Sequence, residues 1–220
     1  MKNKTFVIVT LIVVGIIAGV FWMIPKPQSS FPGTNESATT AIDPKLWVRP
    51  YSMTYGKQDS KVTVVEFFDP QCESCRIMYP LTKFLISQYG DRVRFVHKIM
   101  PYHNGSILVA CALEEAREFN KYDQALDLFF ERQPIWGDHA NPRPELTLSY
   151  LEELGIPKDR LDPDYLLKKH EHKIKQDQAD GLAVGVTGTP EFYINGQMLP
   201  QLNENLLHEM IEEALKNNGS

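Results

Sequence analysis

Val62-Thr63-Val64-Val65-Glu66-Phe67-Phe68-Asp69-Pro70-Gln71-Cys72-Glu73-Ser74-Cys75 decides how this chain reads. Val62–Phe68 is nearly continuous in apolar β-formers, as a central strand buried on both faces should be. Beyond the cysteines, Ile77, Met78, Leu81, Phe84 and Leu85 recur at helical spacing. A strand running into a helix puts Cys72 at a helix N-terminus. There, unpaired backbone N–H groups and the helix dipole favour an anion. The Cys72 thiol is therefore expected to ionise easily, with a pKa of roughly 3.5 to 7.5. Cys75, one turn further in, is placed to attack a mixed disulfide formed on Cys72, which is thiol–disulfide exchange.

Two other readings of the motif exist. A CxxC can supply half of a zinc site, but such sites want four ligands. Only Cys111 remains, and none of the six histidines stands at a ligand spacing near it, so no metal is expected. The pair could also be an inert staple, although a staple has no need of a helix N-terminus.

The 220 residues suffice for one domain with a sizeable core plus extra segments. A net charge of −5 with no basic cluster argues against nucleic-acid binding. Phe6–Ile24 carries no charge over 19 residues, and Lys2 and Lys4 precede it. As a helix it would span roughly 28 Å, close to the hydrocarbon thickness of a bilayer. The positive flank places the N-terminus in the cytoplasm and the remainder outside. A cleaved signal followed by a soluble periplasmic protein is the alternative. The run is long and ends in Phe21, Trp22, Met23 and Ile24 rather than small residues, which favours an uncleaved anchor. Residues 25–45, rich in Pro, Ser, Thr and Gly, read as a flexible tether. Export together with a Cys pair points to an oxidising compartment.

Leu46–Thr54 reads as a short first strand. After Val62–Phe68 comes a helix to about Gln88, then a strand Val93–Met100, making a βαβ unit. The middle of the chain is helical. Its stripes include Leu108, Ala112, Ala116 and Phe119, and then Tyr122, Ala125, Leu126, Phe129 and Phe130. Asp162-Pro163 is a cap and first-turn pair for a helix to about Asp180. Glu191–Ile194, Asn195-Gly196 and Gln197–Leu199 form a hairpin. Asn203 caps a last helix. The order is β-α-β, a helical block, then β-β-α.

That order, with CxxC after the first central strand and Val186-Thr187-Gly188-Thr189-Pro190 before the hairpin, resembles the DsbA-like thiol:disulfide oxidoreductases. The resemblance implies an α/β thioredoxin-like fold over residues 46–220, with a helical insertion at about 103–182, preceded here by a transmembrane helix over residues 1–24. It implies that Pro190 is a cis-proline beside the Cys pair, exposing the backbone of Thr189 for strand-like pairing with substrate. It also implies that Glu66, six residues before Cys72, is a buried carboxyl that relays a proton to or from Cys75. Independently, a carboxyl in an apolar central strand is costly unless paired or neutral, so its pKa should be shifted. A Glu on an edge strand reaching solvent is the bland alternative. Lys98, on the neighbouring strand, is a candidate partner for Glu66.

The expected catalytic set is thus Cys72, Cys75 and Glu66. Thr189 and Pro190 contact substrate, and Glu73-Ser74 is the active-site dipeptide. No cofactor is expected beyond the redox-active disulfide Cys72–Cys75. The dipeptide lacks the Pro or His of many relatives, and Glu73 opposes a Cys72 thiolate, which leaves oxidation or reduction of substrates open. Partners implied are cysteine-containing exported proteins and a membrane redox partner that recycles the pair. A disulfide reductase or isomerase fed by a membrane donor is one alternative; a CxxC metallochaperone or binding module is another. Cys111, on an apolar helical stripe, reads as a buried inert thiol. His103, His139, His170, His172 and His208 read as surface or loop residues.

Overall fold

The computed structural model describes residues 43–218. The expected anchor Phe6–Ile24 and nearly all of the tether lie outside those residues. Among the described residues no helix is long and apolar enough to cross a membrane.

In chain order the elements are α1 (Pro44–Trp47), β1 (Met53–Tyr55), β2 (Val62–Phe68), α2 (Glu73–Tyr89), β3 (Val93–Ile99), α3 (Ser106–Glu118), α4 (Tyr122–Glu131), α5 (Gln133–Trp136), α6 (Leu146–Glu153), α7 (Pro163–Val184), β4 (Glu191–Ile194), β5 (Gln197–Met198) and α8 (Glu204–Asn218). The strands form one sheet in the order β1-β3-β2-β4-β5. β2 and β3 are parallel, and the other neighbours are antiparallel. The apolar run Val62–Phe68 thus lies at the centre, with strands on both sides. This is an α/β thioredoxin-like sheet with a helical insertion, α3 to α7, between β3 and β4.

Local chemistry sets several boundaries. Pro44 opens a helical turn behind the Asp43 cap, so of the expected first strand Leu46–Thr54 only Met53 and Thr54 pair in the sheet, together with Tyr55. The Asp162 carboxylate caps α7 by accepting from the Tyr165 N–H at 2.9 Å. A cap of this kind contributes about 1 kcal/mol. Asn195 and Gly196 both take positive φ, 48° and 83°, as a two-residue hairpin turn requires. Asn203 caps α8 through its side-chain oxygen, 3.0 Å from the Leu206 N–H.

The pleat divides β2 between two faces. Val62 and Val64 pack with Leu85 and Tyr89 of α2 and with Leu207 and Ile211 of α8. Further along that face, Phe68, Cys75 and Tyr79 join the insertion through Leu113, Leu126 and Phe130. Val65 and Phe67 point the other way, toward Val96, Met100, Val186 and Tyr193. On α2 the buried stripe is Cys75, Tyr79, Thr82, Leu85 and Tyr89. Ile77 and Phe84, which share the helical spacing of the apolar run beyond the cysteines, are 68% and 58% exposed. They stand seven residues apart on the face opposite that stripe.

Two charge expectations are corrected. Lys98 does not partner Glu66. The parallel register sets Glu66 beside His97 and Phe67 beside Lys98, so Lys98 faces away from Glu66. There it is wholly buried, 2.9 Å from Asp177 and 2.7 Å from Asp180 of α7. Arg49 closes over Asp180 with its Nε at 2.8 Å, linking the segment after α1 to α7. His170, expected in solvent among lysines, is fully buried. Leu166, His170, Ile174 and Asp177 fall on one helical face, and that face packs inward. His170 Nε2 meets the buried Glu115 carboxylate at 2.6 Å.

Glu115, Glu118 and His170 lie close enough to share a cation. Lys169 and Arg160 already reach into the cluster, at 2.9 and 2.6 Å from Glu115, and supply its positive charge.

Removing one partner of a buried ion pair leaves the other uncompensated, at a cost of about 3–5 kcal/mol. Lys98→Met should therefore lower the urea midpoint by an amount corresponding to a loss of that order. An unchanged midpoint would show that Asp177 and Asp180 do not depend on Lys98.

Candidate active site

The loop from β2 into α2 is built around Asp69. Its carboxylate is fully buried. It accepts from the backbone N–H groups of Gln71 at 2.8 Å, Tyr102 at 2.7 Å and His103 at 3.1 Å. It also accepts from His103 Nδ1–H at 2.8 Å and from the Ser106 hydroxyl. One side chain thus joins the end of β2 to the loop after β3 and to the start of α3. A carboxylate at full burial needs such donors.

Gln71 and Gln133 complete the loop. Gln71 accepts from the Gly105 N–H at 3.0 Å and donates to the Gly137 carbonyl at 3.3 Å. Gln133, from the insertion, donates to the carbonyls of Pro70 at 2.8 Å and Cys72 at 3.0 Å. Its own carbonyl accepts from Arg76 Nε at 3.0 Å. The insertion is therefore bonded directly to the backbone that carries the first cysteine.

Cys72 is the N-cap residue of α2, and Cys75 lies one turn inside. Both are free thiols. Cys72 keeps 9% of its surface exposed, whereas Cys75 keeps 1%. The Cys72 thiol is brought down to about 5. The largest cause is a hydrogen bond from the Cys75 thiol, with further support from Thr189 and from the N–H groups of Ser74 and Cys75 at the helix start. Cys75 is pushed well above the ordinary thiol range, first by burial and then by its bond to Cys72. At neutral pH the outer sulfur, which keeps a narrow opening to solvent, favours the thiolate, and the inner one stays a thiol.

Facing Cys72 is the loop before β4. Thr189–Pro190 is a cis peptide, and the Thr189 carbonyl lies 3.3 Å from Cys72 Sγ. Pro190 is buried and Thr189 half-buried. Glu191 shapes the loop, accepting from the N–H groups of Thr187 and Gly188, both at 2.8 Å. Glu73 and Ser74 are exposed, and His139 Nε2 stands 3.3 Å from the Glu73 carboxylate. The His139 ring lies on His103, with centroids 4.5 Å apart.

Glu66 sits in β2 and is 5% exposed. Burial raises its carboxyl to about 8, against a weaker opposing bond from Thr82 of α2. It contributes in turn to the raised pKa of Cys75. Beside it is His97 rather than Lys98, with Nε2 3.5 Å from Oε2. Cys111 lies on α3, fully buried, and burial pushes its thiol up to about 12.

The structure thus brings together Cys72, Cys75, Glu73, Ser74, Thr189 and Pro190, with Glu66 on the strand that leads into them. Sequence reasoning did not single out Asp69, Gln71, Gln133, Glu191 or His139. Asp69 had a local signal, because Asp-Pro followed by Gln is a pattern for an Asx turn. Glu191 bonds within its own loop, three and four residues back, whereas Gln71, Gln133 and His139 act across up to 66 residues of chain and leave no local pattern.

A thioredoxin family model matches residues 49–217. "Disulfide bond formation protein D" of Bacillus subtilis is 26% identical over 174 residues, covering 73% of this chain and 76% of that protein. A Na(+)/H(+) antiporter NhaA of Herminiimonas arsenicoxydans is 30% identical over 144 residues, 66% of this chain and 22% of that protein. The chain spans only about a fifth of the antiporters it matches. Among solved structures, a thioredoxin-like oxidoreductase from Silicibacter pomeroyi aligns with a TM-score of 0.66 at 26% identity, covering 80% of this chain and 99% of that one. Oxidised BdbD from Bacillus subtilis aligns at 0.65 and 26%, covering 76% and 94%.

The raised carboxyl at Glu66 has a consequence for stability. Between its ordinary value near 4.5 and about 8 the folded state holds a proton that the unfolded state has lost. Stability from this group is full below pH 4.5 and falls as pH rises toward 8. Glu66→Gln should match the wild type near pH 4.5 and exceed it by an amount on the order of 4 kcal/mol at pH 8. Parallel stability curves for the two proteins across that range would show that Glu66 is not held neutral.

Proposed function

The chain belongs to the thioredoxin family, and from that premise we propose that it is a thiol:disulfide oxidoreductase of the DsbA type. It exchanges disulfides with cysteines of exported proteins through Cys72 and Cys75. The observation that carries this reading is the split between the two sulfurs. The Cys72 thiol is brought down to about 5 and keeps 9% of its surface open, while Cys75 keeps 1% and is held protonated.

In the oxidising direction a substrate thiolate attacks Cys72 Sγ of the Cys72–Cys75 disulfide. The bond between the two cysteines breaks, and Cys75 leaves with the electron pair. Glu66, raised to about 8, supplies the proton that Cys75 takes. A second substrate thiolate then attacks the mixed disulfide, and Cys72 departs as a thiolate. That thiolate is a good leaving group because its ionised form is already stabilised. The substrate gains a disulfide, and the enzyme pair is reduced. The Thr189 carbonyl, beside Cys72, offers the extended backbone against which a substrate strand aligns.

The direction of net flow rests on a balance. The stabilised Cys72 thiolate favours the reduced enzyme, and so oxidation of substrates. Glu73 opposes that thiolate, and His139 at 3.3 Å offsets Glu73 when it carries a proton. Oxidation of exported proteins, with a membrane redox partner restoring the disulfide, fits the charge-free run Phe6–Ile24 and an oxidising compartment outside the cytoplasm. The metallochaperone reading fares worse, because soft-metal binding wants two available thiolates and Cys75 holds its proton well above the ordinary range.

Cys75→Ala removes the thiol that resolves mixed disulfides and leaves Cys72 reactive. In cells that export cysteine-containing proteins, this variant should accumulate covalent adducts that run as higher-mass species and collapse on reduction. Cys72→Ala should form none. Equal trapping by both variants, or by neither, would contradict these roles.

A further inference from the structure

His97 occupies the position beside Glu66 that the parallel register of β2 and β3 creates. Its ring is enclosed, and it is 4% exposed. Tyr55 of β1 lies edge-on at a centroid distance of 5.1 Å, and Phe68 of β2 lies at 5.3 Å. The Tyr122 hydroxyl of α4 stands 3.4 Å from Nδ1. Among the described residues Nε2 has no hydrogen-bond partner, yet it points at the Glu66 carboxyl 3.5 Å away. A buried ring nitrogen without a partner is costly. One aimed at a carboxyl that gains and loses a proton is explained if the bond forms in one protonation state and loosens in the other.

We propose that His97 is a positioning residue for the exchange reaction: its Nε2–H donates to the Glu66 carboxylate that appears when Glu66 gives its proton to Cys75. This rests on the relay reading of Glu66 above. The substrate sulfur bonds to Cys72 Sγ, the Cys72–Cys75 bond breaks, and Cys75 takes the electron pair and the Glu66 proton. What remains beside His97 is a buried carboxylate, which burial alone would make expensive. The tautomer with hydrogen on Nε2, fixed by the Tyr122 hydroxyl donating to Nδ1, supplies the donor. Solvent later returns one proton to Glu66, so each attack takes up one proton at the enzyme and the donor itself is not consumed.

The groups facing the pair from each packed element are consistent with this. From α2 they are Cys75, Tyr79 and Thr82; from β1, Tyr55; from α4, Tyr122. The charge of Glu114 on α3 is felt at Tyr122, but Arg117 and Lys173 at 3.1 Å or less hold Glu114. None of these facing groups carries a positive charge. Burial holds the imidazole itself down to about 4, so His97 is a neutral donor and not an ion partner.

The test reads the Glu66 midpoint directly, by carboxyl carbon NMR of the reduced protein across pH 5 to 10. His97→Leu should raise that midpoint by about one unit, a tenfold change in the protonation ratio. His97→Gln keeps an N–H donor and should restore it to within a few tenths of a unit of the wild type. A midpoint unchanged in His97→Leu overturns the proposal. Should His97→Leu not fold, the wild type suffices: the His97 ring nitrogen shifts must move with the Glu66 midpoint, and flat shifts overturn the proposal equally. The relay reading has a separate readout. If Glu66→Gln leaves exchange rates unchanged between pH 6 and 8, that reading fails, even where NMR shows His97 coupled to Glu66. If Glu66→Gln slows exchange but the midpoint ignores His97, only the present inference fails.

Discussion

Everything in this molecule turns on keeping two sulfurs, one helical turn apart, in different media. Cys72 caps the first turn of α2, where free N–H groups point outward. Cys75 has already entered the core. Helix geometry does this without special residues, because a rise of about 1.5 Å per residue carries the second cysteine past the surface layer within three positions. The proton then has a defined place, on the inner sulfur, and the negative charge belongs to the outer one. The insertion, the loop before β4 and the buried carboxyl can each be understood as support for that division.

The support is mainly hydrogen bonding to backbone. Asp69 gathers donors from three segments, and Gln133 reaches from the insertion to the carbonyls of Pro70 and Cys72. These bonds fix the strand-to-helix turn in position while leaving the Cys72 sulfur free to react. On the far side of the sheet a second buried network, Lys98 with Asp177 and Asp180, ties α7 to β3. His97 and Lys98 face opposite sides of the sheet because adjacent residues of β3 point opposite ways. His97 serves the redox face and Lys98 the structural face.

Much of this was legible in the sequence where the signal was local. The apolar run of β2, the CxxC after it, the Asn195-Gly196 turn and the caps at Asp162 and Asn203 all lie within a few residues of what they determine. What stayed hidden depends on register and on packing between distant segments. Lys98 as the partner of Glu66 was plausible from sequence, and a shift of one position in the β2–β3 register decides between it and His97. His170 sits in a lysine-rich stretch, and only the helical phase shared with Leu166 and Ile174 turns it inward. Ile77 and Phe84 fit a helical period as well as the buried residues do; tertiary packing selected the other face.

The central claim is the difference in ionisation between the two thiols. The measurement that tests it is the ultraviolet absorbance of thiolate in the reduced protein, followed from pH 3 to 9 and compared with Cys72→Ala. One thiolate should appear with a midpoint near 5 and vanish in the variant, with no second thiolate before pH 9. A single transition near the ordinary thiol value of about 8.5, or one that survives in Cys72→Ala, would contradict the account.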